Sequence, residues 1–335
     1  MKEKPFFSIV IPSYNRRARL EQCLEALARQ SYPTAGFEVV VIDDGSSDTT
    51  VDYLHHARFS YPFRFQRCEN AGPAHARNVG TGMARGEFIA FTEDDVVPET
   101  EWLKNAAGHL SSGAIDVLEG RTVYVGTQKN VRRFDVEGLP SFVPCNLFVR
   151  RSALQAIGGF DEEFYDGGSH LYFREDADLG FRLLEKRNRI KIARDVVVAH
   201  PVQFATLKDC IRHSLRYMFD ALLYRRHPVK FRQLIEVKRI LGLTVHRPQH
   251  YVAWLCVLAW IMIGVSLLRG ADASTIGLAL VAFICSLLFR YKYQGRGALK
   301  LYRIHETVGF LFVPLVYYWS VIRGCVRYKS FAPLI

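Results

Sequence analysis

The chain of 335 residues has no Cys-x-x-Cys pair, no internal repeat and no low-complexity segment. Its seven cysteines are odd in number and widely scattered. Neither a disulfide framework nor a zinc-thiolate site is therefore expected, and a reducing compartment fits best. The apolar run behind the basic N-terminus is too short for a signal peptide and breaks at Pro12, so we predict that it forms the first strand.

Glycine is missing where a dinucleotide-binding fold would need it. A Rossmann fold places Gly-x-Gly-x-x-Gly after its first strand, so that a helix N-terminus approaches the pyrophosphate. Here the first strand leads into Pro12-Ser13-Tyr14-Asn15-Arg16-Arg17, which contains no glycine. Any nucleotide recognition by this chain must therefore use side chains.

The positive charge is concentrated in the second half of the chain. The net charge is +11, and ten basic residues between positions 208 and 247 face only three acidic ones. Such an excess suits an anionic partner, either a membrane surface or nucleic acid. The basic residues flank hydrophobic segments and no nucleic-acid motif is present, so we expect a membrane and no nucleic acid.

Short β-rich runs alternate with helical patterns from about residue 6 to residue 200. The runs are Phe7 to Ile11, Glu38 to Ile42, Arg64 to Gln66 and Phe88 to Thr92. This alternation predicts an α/β fold with a mostly parallel central sheet. The first helix is predicted from an apolar face at helical spacing, formed by Leu20, Cys23, Leu24 and Leu27.

Three uncharged segments, residues 251–268, 274–289 and 307–322, lie at the C-terminal end. The first would be a helix of about 27 Å, close to the roughly 30 Å of a bilayer core. A buried core helix is the alternative for any one of them, above all for the two shorter ones, but three such segments favour a membrane region. The basic loops are expected on the cytoplasmic side, which makes the first two segments a hairpin. The third either crosses, re-enters or lies at the interface.

A basic amphipathic region precedes these segments. Its apolar stripe consists of Phe204, Leu207, Ile211, Leu215, Met218 and Leu222. Such a helix can lie on an anionic leaflet, and the alternative is ordinary packing on the catalytic domain. We therefore predict a catalytic domain over residues 1–203, an interfacial helical region over 204–250 and a membrane region over 251–335.

Six motifs then follow in a recognisable order. They are Ile9-Val10-Ile11-Pro12-Ser13-Tyr14-Asn15, Val41-Ile42-Asp43-Asp44-Gly45-Ser46, Asn70 to Gly80, Gly86 to Asp95, Gly158-Gly159-Phe160-Asp161-Glu162 and Arg174 to Arg182. This order resembles the family 2 glycosyltransferases, with their GT-A fold, over about residues 6 to 200. The resemblance implies inverting transfer of a sugar from a nucleotide-diphosphate sugar, with UDP as the expected nucleotide.

The resemblance also implies the nucleotide-binding residues. Asp44 matches the aspartate that binds the base, supported by Pro12 and Tyr14 in the loop after the first strand. A carboxylate at the end of a parallel strand lies where open α/β sheets bind ligands, although turn and capping chemistry is the alternative. Arg77 matches an arginine near the donor diphosphate, and an exposed helical arginine is the alternative.

The triplet Glu93-Asp94-Asp95 matches the family's metal motif. Read as a strand, it would point Glu93 and Asp95 to one side and Asp94 to the other. Asp95 is the expected ligand of Mn²⁺ or Mg²⁺; Glu93 is one methylene longer than the usual aspartate and reaches the ion directly or through water. Asp94 is assigned to the sugar nucleotide or to holding the strand end. His200 is either a further ligand or structural.

Asp176 matches the aspartate that deprotonates the acceptor hydroxyl in the family. Asp176 and Asp178 also fit the first turn of a helix, where carboxylates are stabilised by the dipole. We assign that structural role to Asp178 and the catalytic one to Asp176.

The complete prediction is a membrane-anchored, metal-dependent glycosyltransferase whose catalytic domain faces the cytoplasm. A lipid-linked or surface-glycan acceptor follows from the membrane anchor. The alternatives are a non-catalytic scaffold that binds nucleotide, and a processive polysaccharide synthase. Three short segments and the lack of a Gln-x-x-Arg-Trp motif argue against the synthase.

Overall fold

The structure is a computed structural model that describes residues 4–125, 141–201, 206–240, 243–246, 248–294 and 307–331. The chain forms two compact units, residues 1–127 with 131–202 and residues 128–130 with 203–335. The predicted domain limits at residues 203 and 250 stay predictions, and Phe204 of the apolar stripe lies outside the described residues.

The first unit is built on an eight-stranded sheet with the order β3-β2-β1-β4-β7-β6-β10-β5. In chain order the strands are β1 Phe7–Ser13, β2 Phe37–Asp43, β3 Phe63–Arg67, β4 Phe88–Phe91, β5 Val97–Pro98, β6 Val117–Val125, β7 Leu147–Arg150, the separate hairpin of β8 Tyr165–Asp166 and β9 Leu171–Tyr172, and β10 Ile190–Pro201. Four neighbouring pairs are parallel and three are antiparallel. This mixed, mostly parallel sheet confirms the predicted fold class.

Helices cover both faces of the sheet. They are α1 Arg17–Ala28, α2 Thr50–His56, α3 Gly72–Met83, α4 Trp102–Leu110, α5 Arg151–Ala156 and α6 Glu175–Glu185. The predicted apolar face of α1 is buried in one core with alternate residues of β1 and β2. On the opposite face Val10, Ile89 and Phe91 pack with Leu179 of α6. Burial on both faces explains why these strands are continuous apolar runs rather than alternating ones.

Parallel pairing brings several strand ends to one edge of the sheet. Ser13 at the end of β1 lies opposite Asp43 at the end of β2, and Val10 lies opposite Phe91 at the end of β4. The loops after β1, β2 and β4 therefore emerge side by side. Open α/β sheets bind ligands at this edge.

Strand β10 reaches the same edge through an irregularity. Ala193 pairs with Gly120 and Val197 with Arg121, so three residues of β10 are inserted between two consecutive positions of β6. The buried amide of Asn146 closes this gap by donating to the carbonyl of Arg121 at 3.0 Å and to that of Val196 at 2.9 Å. The last part of β10, which ends in His200 and Pro201, is thereby fixed against β6.

The second unit contains three helices that are long and apolar enough to cross a membrane. Its elements are α7 Leu207–Leu215, α8 Phe219–Arg226, α9 Pro228–Lys230, β11 Val237–Ile240, β12 Leu243–His246, α10 Pro248–Leu268, α11 Ala273–Gln294 and α12 Val313–Arg327. The candidate spans are Gln249–Leu268, Ala273–Tyr291 and Thr307–Arg327, with mean hydropathies of 2.2, 1.9 and 1.4. The three predicted segments fall within these helices, which suggests membrane association.

Helix α12 is packed inside the second unit more than the other two spans. In the span that contains α12, 44% of the most apolar stretch is buried, against 17% in the first span and 28% in the second. The Ser320 hydroxyl donates to the Leu215 carbonyl at 2.5 Å, and Gly324 contacts the backbone of Met218. Part of the predicted apolar stripe, including Met218 and Leu222, is therefore buried by protein. Neither contact was foreseen in the sequence.

Candidate functional site

The acidic triplet lies in a turn beyond β4 and not in a strand. The amide of Val96 donates to the carbonyl of Glu93 at 3.2 Å, which closes the turn. The strand alternation used to orient the triplet therefore does not apply. The turn still separates the side chains, because the hydroxyl of Ser13 donates to Asp94 at 2.8 Å while Glu93 and Asp95 approach His200.

Glu93, Asp95 and His200 form a candidate metal site. His200 Nε2 lies 3.7 Å from Glu93 Oε2 and 3.6 Å from Asp95 Oδ1. One ligand atom from each of the three lies within 4.8 Å of the others. Two carboxylates with one imidazole are donors that suit a hard divalent cation such as Mg²⁺ or Mn²⁺. The structure thus brings the three predicted metal ligands together.

The ring of His200 is oriented for this task. Its Nδ1 lies 2.9 Å from the carbonyl oxygen of Pro201, which fixes a proton on that nitrogen and leaves Nε2 facing the carboxylates. Burial lowers the pKa of His200, but Glu93 and Asp95 raise it by more, so the net shift is upward. A proton on this ring and a cation at this site would therefore each place positive charge beside the same two carboxylates.

Two arginines from the start of α1 also reach the triplet. Arg16 donates to Asp94 at 3.1 Å and to Asp95 at 3.0 Å, and Arg19 donates to Asp95 at 3.2 Å. Burial raises the pKa of Asp94 to about 6, although Arg16 and Ser13 act in the opposite direction. The sequence analysis gave neither arginine a role in the site. Their position just after β1 was the signal available.

Arg77 is buried between two carboxylates. Its side chain is 3% exposed and lies 3.2 Å from Glu93 and 3.5 Å from Glu175, and its guanidinium lies 5.3 Å from the Phe160 ring centroid. The alternative of an exposed helical arginine is therefore wrong. The predicted contact with a donor diphosphate stays a prediction.

Asp44 directly follows β2, and its side chain lies at the N-terminus of α3. It accepts from the amides of Ala71 at 2.9 Å and Gly72 at 3.0 Å, and from the side chain of Asn70 at 3.2 Å. Burial raises its pKa despite these hydrogen bonds. Asp43 instead accepts from the amide of Ser46 at 3.1 Å, which is the turn chemistry considered in the sequence. Base binding by Asp44 stays a prediction.

The loops after β1 and β2 are tied together by Asn15. Its side-chain oxygen accepts from the backbone amides of Ser47 at 2.7 Å and Asp48 at 3.2 Å. The backbone N–H of Asn15 donates to the Ser46 hydroxyl at 2.8 Å. Asn15 has a left-handed φ of 54°, a conformation that asparagine tolerates. The predicted nucleotide contacts flank this clamp. Pro12 is half-buried at the end of β1, and Tyr14 is 45% exposed.

Asp176 is the second residue of α6 and is half-buried. It lies close enough to Glu119 to raise that residue's pKa, though burial is the larger cause. Asp178, in the same turn, forms an ion pair with Arg182 at 2.6 Å and is fully buried, in keeping with its structural assignment. Asp176 adjoins Glu175, which Arg77 joins to the metal motif.

The chain matches two models of known protein families. The model of Glycosyl transferase family 2 matches residues 8–180, and that of Glycosyl transferase family group 2 matches residues 137–293. The chain therefore belongs to glycosyl transferase family 2, as the motifs indicated.

The chain is also similar in sequence to individual glycosyltransferases. Glycosyltransferase AglE of Haloferax volcanii is 27% identical over 213 residues, covering 59% of this chain and 68% of that protein. The chain spans about half the length of several other curated relatives it matches.

Two solved structures share the fold. Mannosyltransferase PcManGT from Pyrobaculum calidifontis, in complex with GDP-Man and Mn²⁺, has a TM-score of 0.61 and 18% identity, covering 98% of this chain and 88% of that one. S. aureus TarS 1-349, in complex with UDP, has a TM-score of 0.51 and 21% identity, with coverages of 94% and 91%. At these identities the likeness describes the fold alone.

Proposed function

We propose that the protein transfers a sugar from a nucleotide-diphosphate sugar to a hydroxyl group of a lipid-linked or surface-glycan acceptor, with inversion at the anomeric carbon. The observation that carries this proposal is the convergence of Glu93, Asp95 and His200 on one point. Membership in the family supplies the reaction class, and the three apolar helices support an acceptor at a membrane.

The three converging side chains would hold Mn²⁺ or Mg²⁺. When bound, such a cation stabilises negative charge on the leaving diphosphate. The Mn²⁺ in the PcManGT structure supports this assignment, and the GDP-Man and UDP bound in the two solved structures support a nucleotide-diphosphate donor. We retain UDP as the first donor to test. In this proposal Pro12, Tyr14, Asp44 and Asp94 contact the nucleotide.

Asp176 would act as the general base. Its carboxylate accepts the proton of the acceptor hydroxyl while that oxygen bonds to the anomeric carbon. The bond from this carbon to the diphosphate oxygen breaks on the opposite face, and the nucleotide diphosphate leaves. Its place in the first turn of α6, where the helix dipole favours negative charge, supports the role of a base.

We further propose that the catalytic unit faces the cytoplasm. The basic residues ahead of α10, together with Arg290 at the far end of the hairpin formed by α10 and α11, support this orientation by the positive-inside rule. Accessibility of single introduced cysteines in intact cells would test it. Labelling of the turn between α10 and α11 from the cytoplasmic side only would contradict it.

The enzymatic test uses the full-length protein in detergent or nanodiscs. Released UDP and GDP are measured for a panel of sugar nucleotides and membrane-lipid acceptors, with Mn²⁺, with Mg²⁺ and with EDTA. We expect transfer from at least one donor that stops in EDTA, and a product anomer opposite to that of the donor by NMR. Metal-dependent nucleotide binding without turnover on any pair would support the scaffold alternative instead.

Single variants test the assigned roles. We expect Asp176→Asn to abolish transfer and to leave nucleotide binding nearly unchanged, because a neutral amide cannot accept the proton. Asp95→Asn should instead weaken Mn²⁺ binding. Glu185→Gln, exposed at the other end of α6, is the matched control and should behave as wild type. Full transfer by Asp176→Asn would refute its assignment as base.

A further inference from the structure

Three parts of the first unit meet at the guanidinium of Arg77. Arg77 belongs to α3, Glu93 to the turn after β4, and Glu175 is the first residue of α6. One terminal nitrogen of Arg77 lies 3.2 Å from Glu93, and the other lies 3.5 Å from Glu175. A single cation therefore joins the candidate metal motif to the helix that carries the candidate base.

The surroundings fix Arg77 in this position. The Phe160 ring lies 5.3 Å from its guanidinium carbon, and Phe160 in turn makes an edge contact with Phe91 at 5.1 Å. With 3% of its side chain exposed, Arg77 presents little surface to a phosphate from solvent. A planar guanidinium is suited to spanning two carboxylates in this manner.

The start of α6 has an unusual backbone conformation. Arg174, directly before the helix, has a φ of 77°, which a residue with a side chain rarely adopts. Glu175 is 6% exposed, whereas its neighbour Asp176 is half-buried and reaches the surface. The ion pair of Glu175 therefore holds the buried side of the first turn, and this sets the direction of Asp176 on the other side.

We propose that Arg77 is a positioning residue that couples the metal motif to the base. It holds Glu175, and through the helix backbone Asp176, at a set distance from Glu93. When a cation neutralises Glu93, Arg77 keeps Glu175 as its remaining carboxylate partner, so metal binding tightens the hold on the base helix. This inference rests on the proposed function, and it differs from a role of Arg77 as a diphosphate ligand.

A double-mutant cycle tests the coupling. Arg77→Gln, Glu175→Gln and the double variant are compared in the full-length protein, with kcat and donor KM measured for transfer and the Mn²⁺ Kd measured without donor by EPR. Glu175→Gln should lower kcat about 100-fold, the usual effect of a small misplacement, while donor KM changes less than about twofold. It should also weaken Mn²⁺ binding about fivefold, because Arg77 then pairs with Glu93 alone.

The decisive result is the effect of Glu175→Gln once Arg77 is removed. We expect it to fall below about twofold in both kcat and Mn²⁺ Kd, because the coupling acts through the guanidinium. Arg77→Gln alone should lower kcat and tighten Mn²⁺ binding, whereas simple loss of structure would weaken both. Glu185→Gln on the same helix serves as control. Arg77→Lys keeps the charge and tests folding, and should regain part of the lost kcat.

Two results would overturn the inference while leaving the proposed function intact. One is a wild-type-like kcat for Glu175→Gln in a protein that transfers sugar. The other combines two observations: Arg77→Lys raises the donor KM more than tenfold, and Glu175→Gln has the same effect whether position 77 is Arg or Gln. That combination would make Arg77 a diphosphate ligand. If wild type itself shows no transfer with any donor, the proposed function fails instead.

Discussion

Asn146 supports the most sharply defined prediction about the architecture of the site. Its amide group fills the gap in the ladder between β6 and β10 and donates to two carbonyls, those of Arg121 and Val196. Its oxygen accepts from the indole of Trp102 at 2.8 Å, and the whole residue is 1% exposed. Asn146→Ala therefore leaves two carbonyls and one N–H without this partner.

The expected loss of stability follows from these three groups. Each buried polar group left unsatisfied costs about 1–3 kcal/mol. Three such groups give about 3–9 kcal/mol, and entry of water into the space of the missing amide favours the lower part of that range. We predict a loss of about 3–5 kcal/mol. At roughly 2–4 °C per kcal/mol for a unit of this size, the midpoint should fall by at least about 6 °C.

The assay is thermal unfolding of the full-length protein in detergent, followed by tryptophan fluorescence. Asn105→Ala is the matched control, because Asn105 makes one exposed hydrogen bond, at 2.7 Å, to the carbonyl of Asp195 in the same irregular stretch. That variant should lose less than about 1.5 kcal/mol. If Asn146→Ala shifts the midpoint no more than Asn105→Ala, the amide does not hold β10 in register and the reasoning is wrong.

Three further predictions concern local packing and charge. Ion pairing with arginines lowers the pKa of Asp116 to about 2, so its stabilisation is present above about pH 4 and disappears toward pH 2. Asp116→Asn should cost about 1–2 kcal/mol at pH 7, after allowing for a half-exposed partner, and almost nothing near pH 2, by denaturation midpoints. Gly72→Ala should cost about 2–4 kcal/mol by thermal unfolding, because φ is 87° and the new Cβ would lie 2.5 Å from Tyr165. Gly82→Ala in the same helix meets open space and should be neutral or stabilising. Gly324→Ala should lower the midpoint by several degrees, because its Cβ would overlap a backbone carbonyl of the helical turn on which α12 packs; an unchanged midpoint would argue against that packing.

The fold was largely predictable because its signals are local. The continuous apolar runs of β1, β2 and β4 and the helical spacing of the apolar face of α1 can each be recognised within a few residues, and the structure confirms them. The three candidate metal ligands were also foreseen, although the reason given for two of them was wrong. Glu93 and Asp95 converge through a turn and not through strand alternation.

The contacts that could not be predicted from the sequence join residues far apart in the chain. Arg16 and Asp95 are 79 residues apart, and Arg77 and Glu175 are 98 apart. Neither pair has a spacing that any helical or strand period predicts. The inserted residues in β10, which include Arg194 and Asp195, were equally hidden, because a charged pair within a strand is also expected where one face of an uninterrupted strand is exposed.

The clamp formed by Asn15 has a consequence for the energetics of ligand binding. Because its side chain already accepts from the amides of Ser47 and Asp48, the loops after β1 and β2 are joined to each other before a ligand binds. A ligand that enters there need not supply the ordering entropy of these two loops. Before any nucleotide is added, the amide protons of both residues should accordingly exchange with solvent more slowly in the wild type than in an Asn15→Ala variant.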